Sequence, residues 1–257
     1  MASLSLSLTS AALSQVWPAQ ELARADGAVL STGYADLDRQ LPGGGWPIGA
    51  MVELLQAHEY LHVWQLLLPG LVQAASCQVG PVVLVGAPGE PFCPGLRARG
   101  LPGERLLWVR ADQAAARLWA AEQALRCAQV AAVLAWLPQA RSAELRRLQL
   151  AAQQQGRLLF VLRGASSRNE ASPARLRLLL EGDAALNVHI LKRRGPPLDA
   201  AVTLPAHAPR LAALLATWGA AASLQQARPG PARTARPGPR VAPLCEGFHA
   251  LDRPVAA

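Results

Sequence analysis

Apolar residues fall into short runs of strand length, separated by stretches in which they recur every three or four positions. The runs are MVELL (51 to 55), VVLVG (82 to 86), LLWV (106 to 109), VAAVLAWL (130 to 137), RLLFVL (157 to 162), NVHIL (187 to 191) and AAVTL (200 to 204). Apolar runs this short and bounded by turn residues suit strands. Helical spacing occupies roughly 61 to 78, 113 to 128, 141 to 155 and 173 to 181. Strands alternating with helices need crossover connections, which predicts an α/β protein whose central sheet is mostly parallel and flanked by helices. VAAVLAWL, apolar almost throughout, is expected as a central strand.

The periodic pattern spans a core at residues 27 to 220, after an N-terminal segment at 1 to 26. Residues 221 to 243 are rich in Pro, Gly and Arg, as in ARPGPARTARPGPR, and are expected to form a flexible linker. A terminal segment at 244 to 257 follows, in which Leu244, Phe248 and Leu251 recur at four and three. A short amphipathic segment on a flexible linker reads as a docking peptide, and equally as a frayed tail.

Charge and cysteine usage narrow the class. The net charge is +8, and Lys192 is the single lysine among the 25 basic residues. Nucleic acid is thereby admitted as a partner but not required. Seven of the basic residues, Arg163, Arg168, Arg175, Arg177, Lys192, Arg193 and Arg194, fall between 163 and 194 against three acidic ones. They are candidate nonspecific phosphate contacts, although no aromatic is interleaved to stack bases. The four cysteines form no C-x-x-C pair, which fits a reducing compartment. The first basic residue is Arg24, so a secretory n-region is missing, and no apolar run reaches membrane length. A cytoplasmic protein is expected.

Two motifs carry candidate chemistry. His58, Glu59 and His62 have the spacing H-E-x-x-H, which on a helix would place two imidazoles on one face for zinc, with a carboxylate to activate water. A zinc-dependent hydrolase would need a third ligand. The nearest carboxylate, Glu90, lies in APGEPFCPG, where Pro and Gly argue against a regular helix. The second motif is STGYADLDRQLPGGGWPIGAMVELL, a turn-rich approach to the first long strand, with a short loop and a helix behind it. In doubly wound proteins that loop is where glycines cradle phosphate at a helix N-terminus.

This stretch resembles the opening of the RecA-like recombinase core, in which S-T-G, L-D, a glycine turn, P-x-G and a V-E-I strand lead into the phosphate loop. It is still more similar to the ImuA-type accessory proteins of bacterial mutagenic translesion cassettes, through LPGGGWP and ELL. The resemblance spans roughly residues 27 to 195, and ImuA-type sequences are also similar in layout to the SulA division inhibitors. Carried over by position, the loop's first glycine falls on Gln56, its second on Leu61, its phosphate-binding lysine on His62 and its magnesium-holding hydroxyl on Val63. Near Ala135 and Ala87, where the resemblance places acidic residues, there are none. The resemblance therefore implies a degenerate phosphate loop, no cofactor and no catalysis.

What the resemblance implies of function is a RecA-like adaptor in damage-induced (SOS) mutagenic translesion synthesis. Its implied partners are an ImuB-type polymerase-like protein, a DnaE-type polymerase, the sliding clamp and RecA, with weak DNA contact. A SulA-like inhibitor of cell division is the second reading, and the zinc hydrolase the third. Trp64, Trp119 and Trp136 are expected in the core. Trp46 is either an interface anchor or packed over the sheet edge. Tyr34, Asp36 and Asp38 are expected to organise a turn and a helix cap.

Overall fold

A computed structural model describes residues 27–57, 62–182, 185–198 and 200–205. In chain order these form β1 (Val29–Leu30), α1 (Ala35–Asp38), β2 (Trp46–Pro47), β3 (Met51–Gln56), α2 (Val63–Cys77), β4 (Val82–Val85), α3 (Cys93–Ala98) and β5 (Leu106–Val109). They continue as α4 (Ala114–Arg126), β6 (Ala132–Trp136), α5 (Ser142–Gln155), β7 (Leu158–Gly164), β8 (Leu176–Glu181), β9 (Leu186–Lys192) and β10 (Val202–Leu204). Eight strands make one sheet in the order β10-β9-β8-β3-β7-β6-β4-β5. All pairings from β8 to β5 are parallel, whereas β9 runs antiparallel to both β8 and β10. The expected α/β class and mostly parallel sheet are thus observed.

Strand alternation divides the core in two. Val52, Leu54, Leu84, Leu134, Phe160, Leu178 and Val188 face the side covered by α2, where they meet Leu66, Leu67 and Leu71. Met51, Val83, Val133, Leu159 and Val161 face the side covered by α4 and α5, against Leu125, Leu145 and Leu148. Covering both faces explains why β3, β4 and β6 are buried at every position.

The glycine turn has a mechanical role. Gly43 and Gly44 adopt φ of 78° and 82°, and a Cβ on Gly45 would lie 2.2 Å from the Leu30 carbonyl oxygen. The turn can therefore press β2 against β1, pairing Leu30 with Trp46. Trp46 is 0% exposed and meets Phe160 edge-on, with centroids 5.4 Å apart. Of the two readings of Trp46, the interface anchor is overturned, because the side chain is enclosed in the core. Asp38 accepts hydrogen bonds from Ser31 Oγ (2.7 Å) and the Thr32 N–H (2.9 Å), which ties down this turn as expected.

One element assignment is corrected. The segment 173 to 181, expected as a helix, contains strand β8, paired with β3 on one side and β9 on the other. Its leucines satisfy either period, and only the two partner strands decide between them. Glu90 lies outside any helix, as its Pro- and Gly-rich surroundings lead one to expect; α3 begins after it at Cys93, with Pro94 in the first turn, where a missing N–H costs nothing. Helix α2 carries Pro69 internally, with Gly33 close beside it: a Cβ there would lie 2.4 Å from Pro69 Cβ. Among the described residues no helix is long and apolar enough to cross a membrane.

Candidate functional site

The carboxyl end of β3 lies beside β7, at the place in an open sheet where the chain's crossovers diverge and ligands usually bind. The helix that follows begins with groups unsuited to phosphate. Val63, at the position of the implied metal-holding hydroxyl, is 1% exposed and part of the core, and Gln56 is 3% exposed. No acidic residue and no side-chain cap occupies the first turn of α2. Leu61 lies outside the described residues.

His62, at the position of the implied lysine, is instead a structural tie. It is the one non-glycine residue with positive φ (67°) among those described, and it precedes the helix as its N-cap. Its Nε2 donates to the Gly182 carbonyl oxygen (2.5 Å), and its Nδ1 lies 3.1 Å from Gln65 Oε1. Gln65 Nε2 in turn donates to the Pro205 carbonyl oxygen (2.7 Å), and the Gln65 carbonyl accepts from the Tyr34 hydroxyl (2.6 Å). Burial of that phenol raises its pKa above the ordinary value. The start of α2 is thereby fastened to the ends of β8 and β10 and to the turn before α1.

The same geometry bears on the H-E-x-x-H spacing. Helix α2 starts at Val63, so His62 precedes the helix rather than standing on its face. His58 and Glu59 lie outside the described residues. Beside the helix start, a cavity of about 220 Å³ is walled by Val63, Trp64, Ala87, Phe92 and Trp136, with Glu90 its charged residue. Apolar walls and a carboxylate are the reverse of what triphosphate requires.

The basic stretch from 163 to 194 is not one surface. Arg163 and Arg177 are 4% and 8% exposed and converge on Glu53, which is fully buried: Arg163 Nη1 lies 3.0 Å from Oε1 and Arg177 Nε 2.6 Å from Oε2. Arg163 also donates to Glu170 (2.7 Å) and the Ala140 carbonyl (3.1 Å). Arg177 reaches the carbonyls of Ser167 (2.9 Å), Arg168 (3.3 Å) and Glu170 (3.1 Å). This network straps residues 165–170 over β3 and β8. Both arginines are therefore removed from the candidate DNA contacts: their guanidinium donors are turned inward to protein oxygens.

Of the other five, Arg168, Arg175, Lys192 and Arg194 are exposed, and Lys192 Nζ donates to the Ser172 carbonyl (3.0 Å). Arg193 is half-buried and bonds the carbonyls of Pro196 (2.8 Å) and Gln40. Trp136 is buried and Trp64 packs against the core, as expected. Trp119 is a correction: it is 66% exposed, one position off the buried stripe of α4 formed by Ala121, Glu122 and Leu125. Leu244, Phe248 and Leu251 lie outside the described residues.

The strap has a pH dependence whose sign follows from Glu170. The hydrogen bond from Arg163 holds its carboxyl below the usual carboxylate range. For Arg163, burial opposes the charge, but the hydrogen bonds to Glu170 and Glu53 outweigh it and raise its pKa. A depressed carboxyl stabilises the fold above its unfolded pKa, about 4.3, and loses that contribution as pH falls through the lower folded value. Wild type is thus expected to melt above Glu170→Gln at neutral pH, and the difference to close in strong acid. Paired melting curves across that range check it.

No protein-family model matches the chain. Two curated relatives, both described as "Protein ImuA", come from Caulobacter vibrioides strains NA1000 / CB15N and ATCC 19089 / CIP 103742 / CB 15. Each is 37% identical over 145 residues, covering 52% of this chain and 57% of the relative. The chain thus spans little more than half the length of the curated relatives it matches, and over that shared region it is ImuA-like.

Proposed function

We propose, with this ImuA likeness as the premise, that the chain is a non-catalytic accessory protein of damage-induced mutagenic DNA synthesis, acting by joining other proteins. Its partners in this reading are an ImuB-type polymerase-like protein, a DnaE-type polymerase and RecA. The observation that carries the non-catalytic part is His62: where the recombinase resemblance puts a phosphate-binding lysine, a histidine ties the helix start to Gly182 and, through Gln65, to Pro205. A nucleotide there would have to break those bonds and desolvate its phosphates against buried Val63. Any direct DNA contact made by the basic stretch falls to Arg168, Arg175, Lys192 and Arg194.

Calorimetric titration of the full chain with ATP and magnesium tests the loss of nucleotide chemistry. The expected result is no saturable heat up to about millimolar nucleotide, the weak end of specific affinity. A micromolar dissociation constant with release of phosphate would overturn the non-catalytic reading.

A further inference from the structure

The cavity beside the start of α2 is lined by three aromatic side chains and one carboxylate. Trp64 comes from the first turn of α2, Trp136 from the carboxyl end of β6, and Glu90 and Phe92 from the loop joining β4 to α3. The rest of the wall is aliphatic, proline or glycine and contains no basic residue. Trp136 is 6% exposed and Trp64 packs against the core, so both have structural work to do. Phe92 is different. It is 73% exposed, yet its ring leans on α3, where a Cβ on Gly95 would lie 2.8 Å from its Cδ1. A positioned aromatic that burial does not explain, at the wall of a cavity, is the kind of residue that dominates binding.

Charge and size say what would fit. Glu90 is exposed and, among the described residues, forms no ion pair. The cations on adjoining elements are placed or engaged elsewhere. Arg97 and Arg99 stand at the other end of α3 from Phe92, Arg97 paired with Glu104. Arg117 belongs to α4, on the opposite face of the sheet, and donates to the carbonyls of Ala111 (2.7 Å) and Trp136 (3.4 Å). The lining thus holds one negative charge among aromatic rings. Its volume of about 220 Å³ is below the roughly 300–1,000 Å³ of pockets that take cofactors and other small molecules, and suits a single side chain. Aromatic rings attract a cation through their quadrupole, and a carboxylate pairs with it. A guanidinium meets both, being planar, weakly hydrated and able to stack on rings while bonding a carboxylate.

We propose that this pocket receives an arginine side chain from a partner protein, its guanidinium packed among Trp64, Phe92 and Trp136 and paired with Glu90. The inference rests on the adaptor reading only in taking the occupant to be a protein, and it gives that reading a contact.

The probe is a short capped peptide of Ala, Gly and Ser with one central Arg, titrated into the ¹⁵N-labelled full chain while the indole N–H signals of Trp64 and Trp136 are followed. Saturable shifts of both are expected, with affinity weakened about tenfold by Phe92→Ala and by Glu90→Gln, as for a partly desolvated cation on an aromatic face and a charge-assisted hydrogen bond. The same peptide with citrulline for Arg, which keeps the shape and loses the charge, should not bind. Both substitutions fall at exposed positions, melting curves check that the fold survives, and Trp119→Ala, at an exposed aromatic outside the cavity, should bind like wild type. No saturable shift, equal binding of the citrulline peptide, or indifference to both variants would overturn the proposal. Oligothymidylate that shifts the same indoles would overturn it in favour of single-stranded nucleic acid. Replacing Arg228, Arg233, Arg236 and Arg240 by Gln in the full chain should leave those indole signals where they are; their movement would overturn it in favour of the chain's own arginines. Peptide binding without any effect of the gene on mutagenesis would remove the damage role and leave the pocket standing.

Discussion

Replacing Glu53 with Gln is expected to cost the folded state about 3–5 kcal/mol, the range for breaking a buried ion pair by removing one partner. Glu53 is fully buried on β3 and is the common acceptor of Arg163 and Arg177. The amide would leave two buried guanidiniums with only Glu170, which bonds Arg163 from the surface, as counter-charge. Chemical denaturation at neutral pH measures the loss. A companion variant separates charge burial from packing: Glu53→Leu with Arg163→Met and Arg177→Met removes all three charges at once. Apolar replacement of a buried triad is often neutral or stabilising, so most of the stability should return. The strap at 165–170 should not recover, because the guanidinium donors to Ser167, Arg168 and Glu170 are gone. Faster amide hydrogen exchange confined to those residues is the expected signature.

Trp46→Ala is the second large effect, about 3–5 kcal/mol, as for truncating a fully buried aromatic. The indole fills the space between Phe160 and Gly70 of α2: a Cβ on Gly70 would lie 3.0 Å from its Cδ1. Trp46→Phe should cost much less. Among the described residues the indole Nε1 has no hydrogen-bond partner, so phenylalanine forfeits volume but no bond. Near-equal losses for Ala and Phe would mean that something other than packing fixes the residue.

Much of this architecture is legible in the chain. The seven apolar runs each overlap an observed strand, and three of the four helical stretches contain α2, α4 and α5. Local pattern fails where long-range partners decide. β8 has the leucines of a helix face, and it becomes a strand because β3 and β9 both claim it. The arginines at 163 and 177 look like a DNA surface when only charge is counted. Their places inside buried strands give another signal: Glu53 in MVELL and Arg177 in LRLLLE are lone charges in apolar runs, which must find each other if both strands are central. Trp119 was legible too, since the buried stripe of α4 passes one position away from it.

The degenerate loop was read from residue types alone. What the three-dimensional arrangement adds is that His62 and Gln65 link the helix start to the ends of β8 and β10. The start of α2 is thereby tied to the fold by hydrogen bonds of its own side chains.

Mutation frequency after DNA damage, compared between the parent strain and one lacking this gene, tests the central claim most directly. The account predicts that damage-induced mutation falls to near the undamaged level in the deletion strain and is restored by the intact gene. Undiminished mutagenesis in the deletion strain would contradict it.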